Sequence, residues 1–454
     1  MRHPARAAMS PPRQLHLNLN FMNAGSYSSA WRRPESEAAD FIDPAFLVRQ
    51  AQIAERGTFD AVFLADNPAL PDRPDLRPYQ ALEPTVVLAA MAAATTHIGL
   101  IATLSTTYNE PYNVARRFAS LDHVSGGRSG WNIVTTAETG TARNFGLDEV
   151  LPHDQRYARA VEFADVVTAL WDSWEPDALV GDKESGRFID GSRIHPIDHR
   201  GRYFSVQGAL NVPPSPQGRP VIVQAGGSSD GQDLAARHAD LVFSVAHSLD
   251  EARSFADGLR ARLLRAGRAP AEVVICPGLV TILGSTEAEA KRRERELWES
   301  VPIDYGLARL ARTLNVDPGR LKLDEPLPAD IPFPENHSQT FFKGTVTLAQ
   351  RNGLTVRDLV KAQGGGGTQH RLAVGTPEQV ADGIEAWFRS GAVDGFNIMP
   401  DVTASGLKVF VEEVVPLLRR RGIFREAYSG RTLRDHLGLP PPSVRHRRPA
   451  AATA

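Results

Sequence analysis

Residues Pro220–Gly231 read PVIVQAGGSSDG, and the rest of the chain takes its meaning from them. A short apolar run, Val221–Val223, breaks into small residues and then opens an alanine-rich, helix-like stretch, Asp233–Ala239. This pattern predicts a strand, a phosphate-cradling turn and a helix N-terminus. Gly226 and Gly227 let the backbone approach an anion, while Ser228 and Ser229 set hydroxyls beside the unpaired N–H groups of a first helical turn. A plain cap has the same composition, so the weight of the motif comes from its surroundings.

Outward from this unit the alternation repeats. Strands are expected at Leu15–Phe21, Asp60–Ala65, Ile98–Leu104, Gly130–Val134, Val221–Gln224, Leu241–Val245, Val273–Leu283 and Gly395–Met399. Helices are expected at Pro44–Arg56, Thr85–Thr95, Tyr112–Leu121, His153–Trp171, Leu234–His238, Leu249–Ala266, Pro377–Phe388 and Ser405–Arg421. Eight of each, with strands mostly too apolar to have a wet face, predict an α/β fold: a parallel sheet covered by helices and closed as a (β/α)8 TIM barrel. No GxGxxG follows the first strand, which argues against an open dinucleotide-binding sheet.

Three stretches do not fit the repeat and read as insertions, at about 136–151, 176–216 and 285–376. The third is expected to act as a lid or substrate-shaping element, or as a dimer contact. Within it, the four glycines Gly364–Gly367 read as a flexible hinge. Residues 1–14 are basic without an apolar core and read as a flexible segment, 15–425 as one barrel domain, and 426–454 as a tail. The end of that tail, PPPSVRHRRPAAATA, lacks the apolar content to pack.

The totals narrow the function classes. Lys and Arg number 51 against 53 Asp and Glu, a formal charge of −2, so neither nucleic acid nor an acidic membrane is the expected partner. A small molecule is. The one cysteine, Cys276, excludes an internal disulfide and a cysteine-based zinc cluster, and no apolar run is long enough to span a bilayer. A soluble, cytoplasmic protein is expected.

Ligands of such barrels sit at the C-terminal ends of the strands. There the sequence places Asn20, Met22 and Asn23, then Asp66 and Asn67, Thr103 and Ser105, Asn132, Thr135 and Thr136, and finally Gln224, Gly227 and Ser228. The set is polar and mostly uncharged, suited to a large heteroaromatic ligand. It lacks the paired carboxylates or histidine clusters of hydrolysis or divalent-metal catalysis, and no metal site is predicted. His153 and Tyr157, four residues apart on one helix face, can reach one ligand together or serve as a cap and a packing residue. Asp66 can likewise cap the next turn.

Several segments together carry a resemblance: LHLNLNFMNAGSYSSAWRRPES, FDAVFLAD, THIGLIATLSTTYNEPYNVARRFASLDHVSGGRSGWNIVTT, HDQRYARAVEF and PVIVQAGGSSDGQDLAARHAD. From about Leu15 to Arg425 the chain resembles the nitrilotriacetate monooxygenase branch of the bacterial luciferase-like flavin-dependent monooxygenases. The resemblance implies a barrel that binds FMN, delivered in reduced form by a separate NAD(P)H:flavin reductase, and uses O2 to oxygenate a small organic substrate: an aminopolycarboxylate, a sulfur compound, an alkane or another xenobiotic. It implies isoalloxazine contacts from Asp66 and Thr103, with Asn132 near the ring. His153 and Tyr157 would hold the ribityl and phosphate region, and Ser228 with the Gly227 backbone the phosphate. Phosphate sites in these barrels commonly follow strands seven and eight, whereas this turn follows the fifth. A histidine that some relatives carry near the first strand is missing from NAGSYSSAW, which leaves Tyr27 or Ser26 in its place; Tyr27 and His153 are the catalytic candidates. A homodimer or homotetramer is implied. The alternatives are a deazaflavin-dependent oxidoreductase and a flavin-binding protein without turnover.

Overall fold

Eight parallel strands form a closed ring in the computed structural model, which describes residues 13–71, 73–334 and 339–442. They are β1 (His16–Phe21), β2 (Ala61–Leu64), β3 (Gly99–Ser105), β4 (Ser129–Val134), β5 (Val221–Gln224), β6 (Leu241–Ser244), β7 (Val274–Leu283) and β8 (Gly395–Pro400). Each pairs with its neighbours in order, and the ring is sealed where His16–Leu19 of β1 align with Gly395–Ile398 of β8. The expected (β/α)8 barrel is the fold observed. Its phosphate-like turn does follow the fifth strand.

Side-chain alternation explains the closure. Leu17, Leu19 and Phe21 of β1 pack outward with Phe46, Leu47 and Ala51 of helix α1 (Pro44–Arg56). Asn18 and Asn20 therefore point into the lumen. The lower lumen is apolar, filled by Ala61, Phe63, Ile101, Val223, Phe243 and Cys276 among others. The covering helices continue with α2 (Pro84–Ala94), α3 (Pro111–Ser125), α4 (His153–Trp171), α5 (Ser229–His238), α6 (Leu249–Arg265) and α7 (Pro377–Arg389). Proline opens α1, α2, α3 and α7, where its missing N–H has no partner to lose.

Four local features depart from the sequence expectation. Helix α5 begins at Ser229 rather than Leu234, because the Ser228 hydroxyl accepts the Gly231 N–H at 3.1 Å and caps a turn that composition had left as loop. Arg371–Gly375, expected inside an insertion, is a ninth parallel strand that pairs with Leu279–Leu283 of β7 beyond the end of β6. The last helix runs from Thr403 to Arg420 through a π turn at Phe410–Val414, just before Pro416, whose ring cannot follow a regular turn. Gly364–Gly367 is no hinge: it is buried, and a Cβ at Gly367 would lie 2.0 Å from the Ser26 carbonyl oxygen. Glycine is needed there for close approach, not for mobility.

The barrel floor follows one rule. Asp60, Asp240 and Asp394 each stand immediately before an even-numbered strand and accept a backbone N–H from the strand before it, respectively Leu17 at 2.8 Å, Ile222 at 2.9 Å and Ile275 at 3.0 Å. Their cations come from the ends of the described chain: Arg425 on Asp60, Arg434 on Asp240 at 3.0 Å, and Arg13 on Asp394 at 2.9 Å. Burial pushes the Asp60 and Asp240 pKa values up, but the facing arginines and hydrogen bonds more than reverse this and hold both carboxyls below their ordinary range. Between these anchors the short helix Leu433–His436 drops Leu433, with Leu437 and Leu439 after it, into the apolar lower lumen. Residues of the expected tail thus seal the floor. Its last residues, 443–454, and 1–12 of the expected N-terminal segment lie outside the described residues.

Removing one partner of a buried pair leaves an uncompensated charge, so Arg434→Met is expected to cost about 3–5 kcal/mol. Leu437→Ala should cost about 2–5 kcal/mol through the cavity it leaves. Urea unfolding followed by tryptophan fluorescence reads both, and an unchanged midpoint in either variant would refute the floor assignment.

Candidate active site

At the end of β5 the chain turns through Ala225–Ser228 into α5. The turn is tight: a Cβ at Gly226 would lie 2.4 Å from Gln224 Nε2, 3.0 Å from Gly231 Cα and 3.1 Å from the Tyr157 hydroxyl. Gly226 N–H donates to Gln224 Oε1 at 2.7 Å, and Gly227 N–H donates to Thr340 Oγ1 at 2.9 Å. The first N–H groups of α5 have no acceptor within the helix. His153, at the start of α4, reaches across to Asp230 in the first turn of α5, with Nδ1 and Oδ2 3.2 Å apart. Its ring lies 4.7 Å from that of Tyr157. The structure therefore brings His153, Tyr157, Gly227 and Ser228 to one place, a cradle made mostly of backbone.

Charge in this cradle is modulated by burial. Desolvation pushes the His153 pKa below its ordinary value against the opposing pull of Asp230. One turn in, Arg156 is almost completely buried and donates to the Thr136 carbonyl at 3.3 Å. Arg156 escaped the sequence reading, although a signal existed: it shares the buried stripe of Ala160, Phe163, Ala164 and Val167 on α4, where a cation is out of place. Thr340 escaped it because nothing local ties the helix Gln339–Asn352 to a turn more than 100 residues earlier.

A second group of polar atoms faces the lumen. Asn132 of β4 donates from Nδ2 to Thr103 Oγ1 on β3 at 2.9 Å, leaving its own Oδ1 buried without a partner. Asn20 Oδ1 and both amide atoms of Asn18 are equally unmet. These amides are interleaved with apolar lumen residues, Asn18 beside Ala61, Asn20 beside Phe63 and Asn132 beside Val223, and each unmet atom costs about 1–3 kcal/mol unless something satisfies it. Asp66, just past β2, has its pKa pushed up from 3.8 to about 6 by burial first and by Glu83 second. Tyr27 stands apart from this group, packed with Ala24, Ala30, Ile282, Leu297 and Val402. Burial, with Glu294 and Asp401, pushes its phenol pKa upward.

An N–H cradle at one end and unmet amide oxygens at the other suit a flat heteroaromatic ligand with a phosphate tail. Among the described residues no group of three His, Cys, Asp or Glu side chains is arranged to hold a metal ion. No described helix is long and apolar enough to cross a membrane.

Residues 22–394 match the sequence model of the luciferase-like monooxygenases. The chain belongs to that family. It is 43% identical over 447 residues to nitrilotriacetate monooxygenase component A of Aminobacter aminovorans, covering 96% of this chain and 98% of that protein. It is 41% identical over 438 residues to N-acetyl-S-(2-succino)cysteine monooxygenase of Bacillus subtilis, covering 96% and 99%. Its fold also matches a riboflavin lyase solved with a modified FMN and riboflavin, with TM-score 0.83 and 34% identity over 94% of this chain and 96% of that one. This luciferase-like chain is an enzyme of the monooxygenase class.

The Asp66 shift has a sign that can be tested. Its folded pKa of about 6 lies above the ordinary 3.8, so the folded state holds the extra proton between the two values and stability falls as pH rises through that window. Asp66→Asn removes the penalty. It is expected to stabilise the protein by at most about 3 kcal/mol above pH 6, with the gain shrinking toward pH 4. Urea midpoints at pH 5 and pH 7.5 decide it, and an equal effect at both would place the carboxyl in water.

Proposed function

We propose that this chain is the oxygenase of a two-component, FMN-dependent monooxygenase. It takes reduced FMN from a separate NAD(P)H:flavin reductase, and with O2 it oxygenates a small organic substrate. The observation that carries the reading is the pairing of a glycine and serine cradle with unmet amide oxygens in a lumen lacking paired carboxylates. The two relatives support it further: one is itself named a component, and both are monooxygenases. Their named substrates differ chemically at similar identity, so overall identity does not select a substrate for this chain.

The residues fit the cofactor. The phosphate would take the Gly227 N–H now given to Thr340 and the first-turn N–H groups of α5, with Ser228, His153 and Tyr157 around it. The ring would meet Asp66, Thr103 and Asn132, whose unmet Oδ1 matches a ring N–H. When bound in reduced form, the flavin supplies the electrons that activate O2. The chain's own part is to bind it, orient it and keep water from it. Few acid–base side chains line the lumen, and Asp66, kept largely protonated below pH 6, holds the most strongly displaced carboxyl of the group. A cytoplasmic homodimer or homotetramer belongs to the same reading.

Two measurements test it. Ser228→Ala should weaken FMN binding by one charge-assisted hydrogen bond, about 1.5–3 kcal/mol, while leaving the barrel folded by circular dichroism; unchanged affinity would remove Ser228 from the phosphate site. In rapid mixing with oxygenated buffer, reduced FMN on the protein should reoxidise more slowly than free reduced FMN. Reoxidation at the free-flavin rate would overturn the oxygenase reading.

A further inference from the structure

Outside the lumen, the ninth strand and α7 enclose a cavity of about 200 Å3, lined among others by Leu279 of β7, Arg371 and Ala373 of the ninth strand, and Gln379, Val380 and Gly383 of α7. Leu279 aligns with Arg371 across the strand pair and belongs to the outer core with Val380 and Trp387. The sheet therefore stands between this space and the lumen.

The lining is apolar apart from Arg371 and Gln379. The Arg371 guanidinium lies over the Trp387 ring, 4.7 Å from its centroid, and beside Gly383, where a Cβ would be 3.7 Å from Nη2. It is partly buried, yet among the described residues no ion pair or hydrogen bond meets it. Desolvation alone pulls its pKa below the ordinary value, with no carboxylate pulling the other way. Arg293 shows the contrast: it pairs with Asp401, and with Glu35 at 3.4 Å, and its pKa is raised. Glu287, which accepts from Gln379 Nε2 at 3.1 Å, is itself paired with Lys291. A cation held away from water is costly until an anion meets it.

We propose that this cavity is a second ligand site, one that takes a small aliphatic carboxylate, with the carboxyl group on Arg371 and the chain against Leu279, Ala373 and Val380. The planar fork of a guanidinium matches a carboxylate, and the apolar wall favours an alkyl chain. A phosphate dianion fits worse, because it would meet one cation, and the opening turn of α7 is already capped by its own Thr376–Gln379 box. Volume sets the size. The space exceeds the roughly 10–15 Å3 that one water needs and falls below the roughly 300–1,000 Å3 of sites for drug-sized ligands, which leaves an acid of a few carbons. An occupant would brace the seam of β7, the ninth strand and α7 without entering the barrel mouth, so the inference stands independently of the FMN reading.

Pentanoate is the probe, titrated calorimetrically into the full-length protein beside pentan-1-ol, with the variants R371M, G383L and S228A checked for fold by circular dichroism. The unaltered protein should bind pentanoate saturably and the alcohol about tenfold more weakly, since only the acid engages the charge. R371M keeps an apolar stem without the charge and should lower pentanoate affinity about tenfold. G383L fills the cavity from inside α7 and should lower it at least as far, which keeps the test alive if R371M does not fold. S228A, at the cradle after β5, should leave pentanoate binding as it was. The inference is overturned by absence of saturable binding, by an alcohol that binds as tightly as the acid, by unaltered affinity in either folded cavity variant, or by loss of binding in S228A.

Discussion

Three aspartates at the feet of β2, β6 and β8 fix the geometry on which the mouth depends. Each ties a strand to its predecessor through a backbone N–H, and Asp60 and Asp240 need a cation because a buried carboxylate left alone is costly. The cations are Arg13, Arg425 and Arg434, so both ends of the described chain are drawn under the barrel. With the floor held by charge and by Leu433, Leu437 and Leu439, the strand tops are carried on a rigid base. Catalytic and binding groups require such a base to stay in register.

Two kinds of side chain share the lumen. Phe63, Ile101, Val223 and Phe243 exclude water and supply the stability of an ordinary core. Beside them Asn18, Asn20 and Asn132 keep polar atoms unsatisfied. Their cost is tolerable only because the surrounding core is well packed.

Much of this was legible in the residues. The alternation of Leu17 and Leu19 with Asn18 and Asn20 gave both the outward core face and the inward polar face of β1, since a strand's period of two leaves no third choice. The cradle was legible because Gly226, Gly227 and Ser228 act through local backbone geometry. What stayed hidden depends on distance in space. Thr340 joins Gly227 across an insertion, and Arg371–Gly375 is a strand because β7 outruns β6. Composition misled at Gly364–Gly367, where glycine serves close packing against Ser26 instead of motion. Ahead of Pro440, Leu433, Leu437 and Leu439 of the expected tail pack into the apolar lumen.

The seam between β1 and β8 sets a timetable for the molecule. The two strands align residue for residue, yet Gly395 is synthesised roughly 380 residues after His16. At a ribosomal pace of roughly 5–20 residues per second, β1 waits roughly 20–75 s for its second neighbour. Until then one of its edges is unpaired beside Leu17, Leu19 and Phe21, the kind of edge that recruits strands from other chains. Arg425 and Arg434 emerge later still. The ring therefore cannot close before β8 has been made, and its yield in a cell depends on how well the nascent chain is shielded until then.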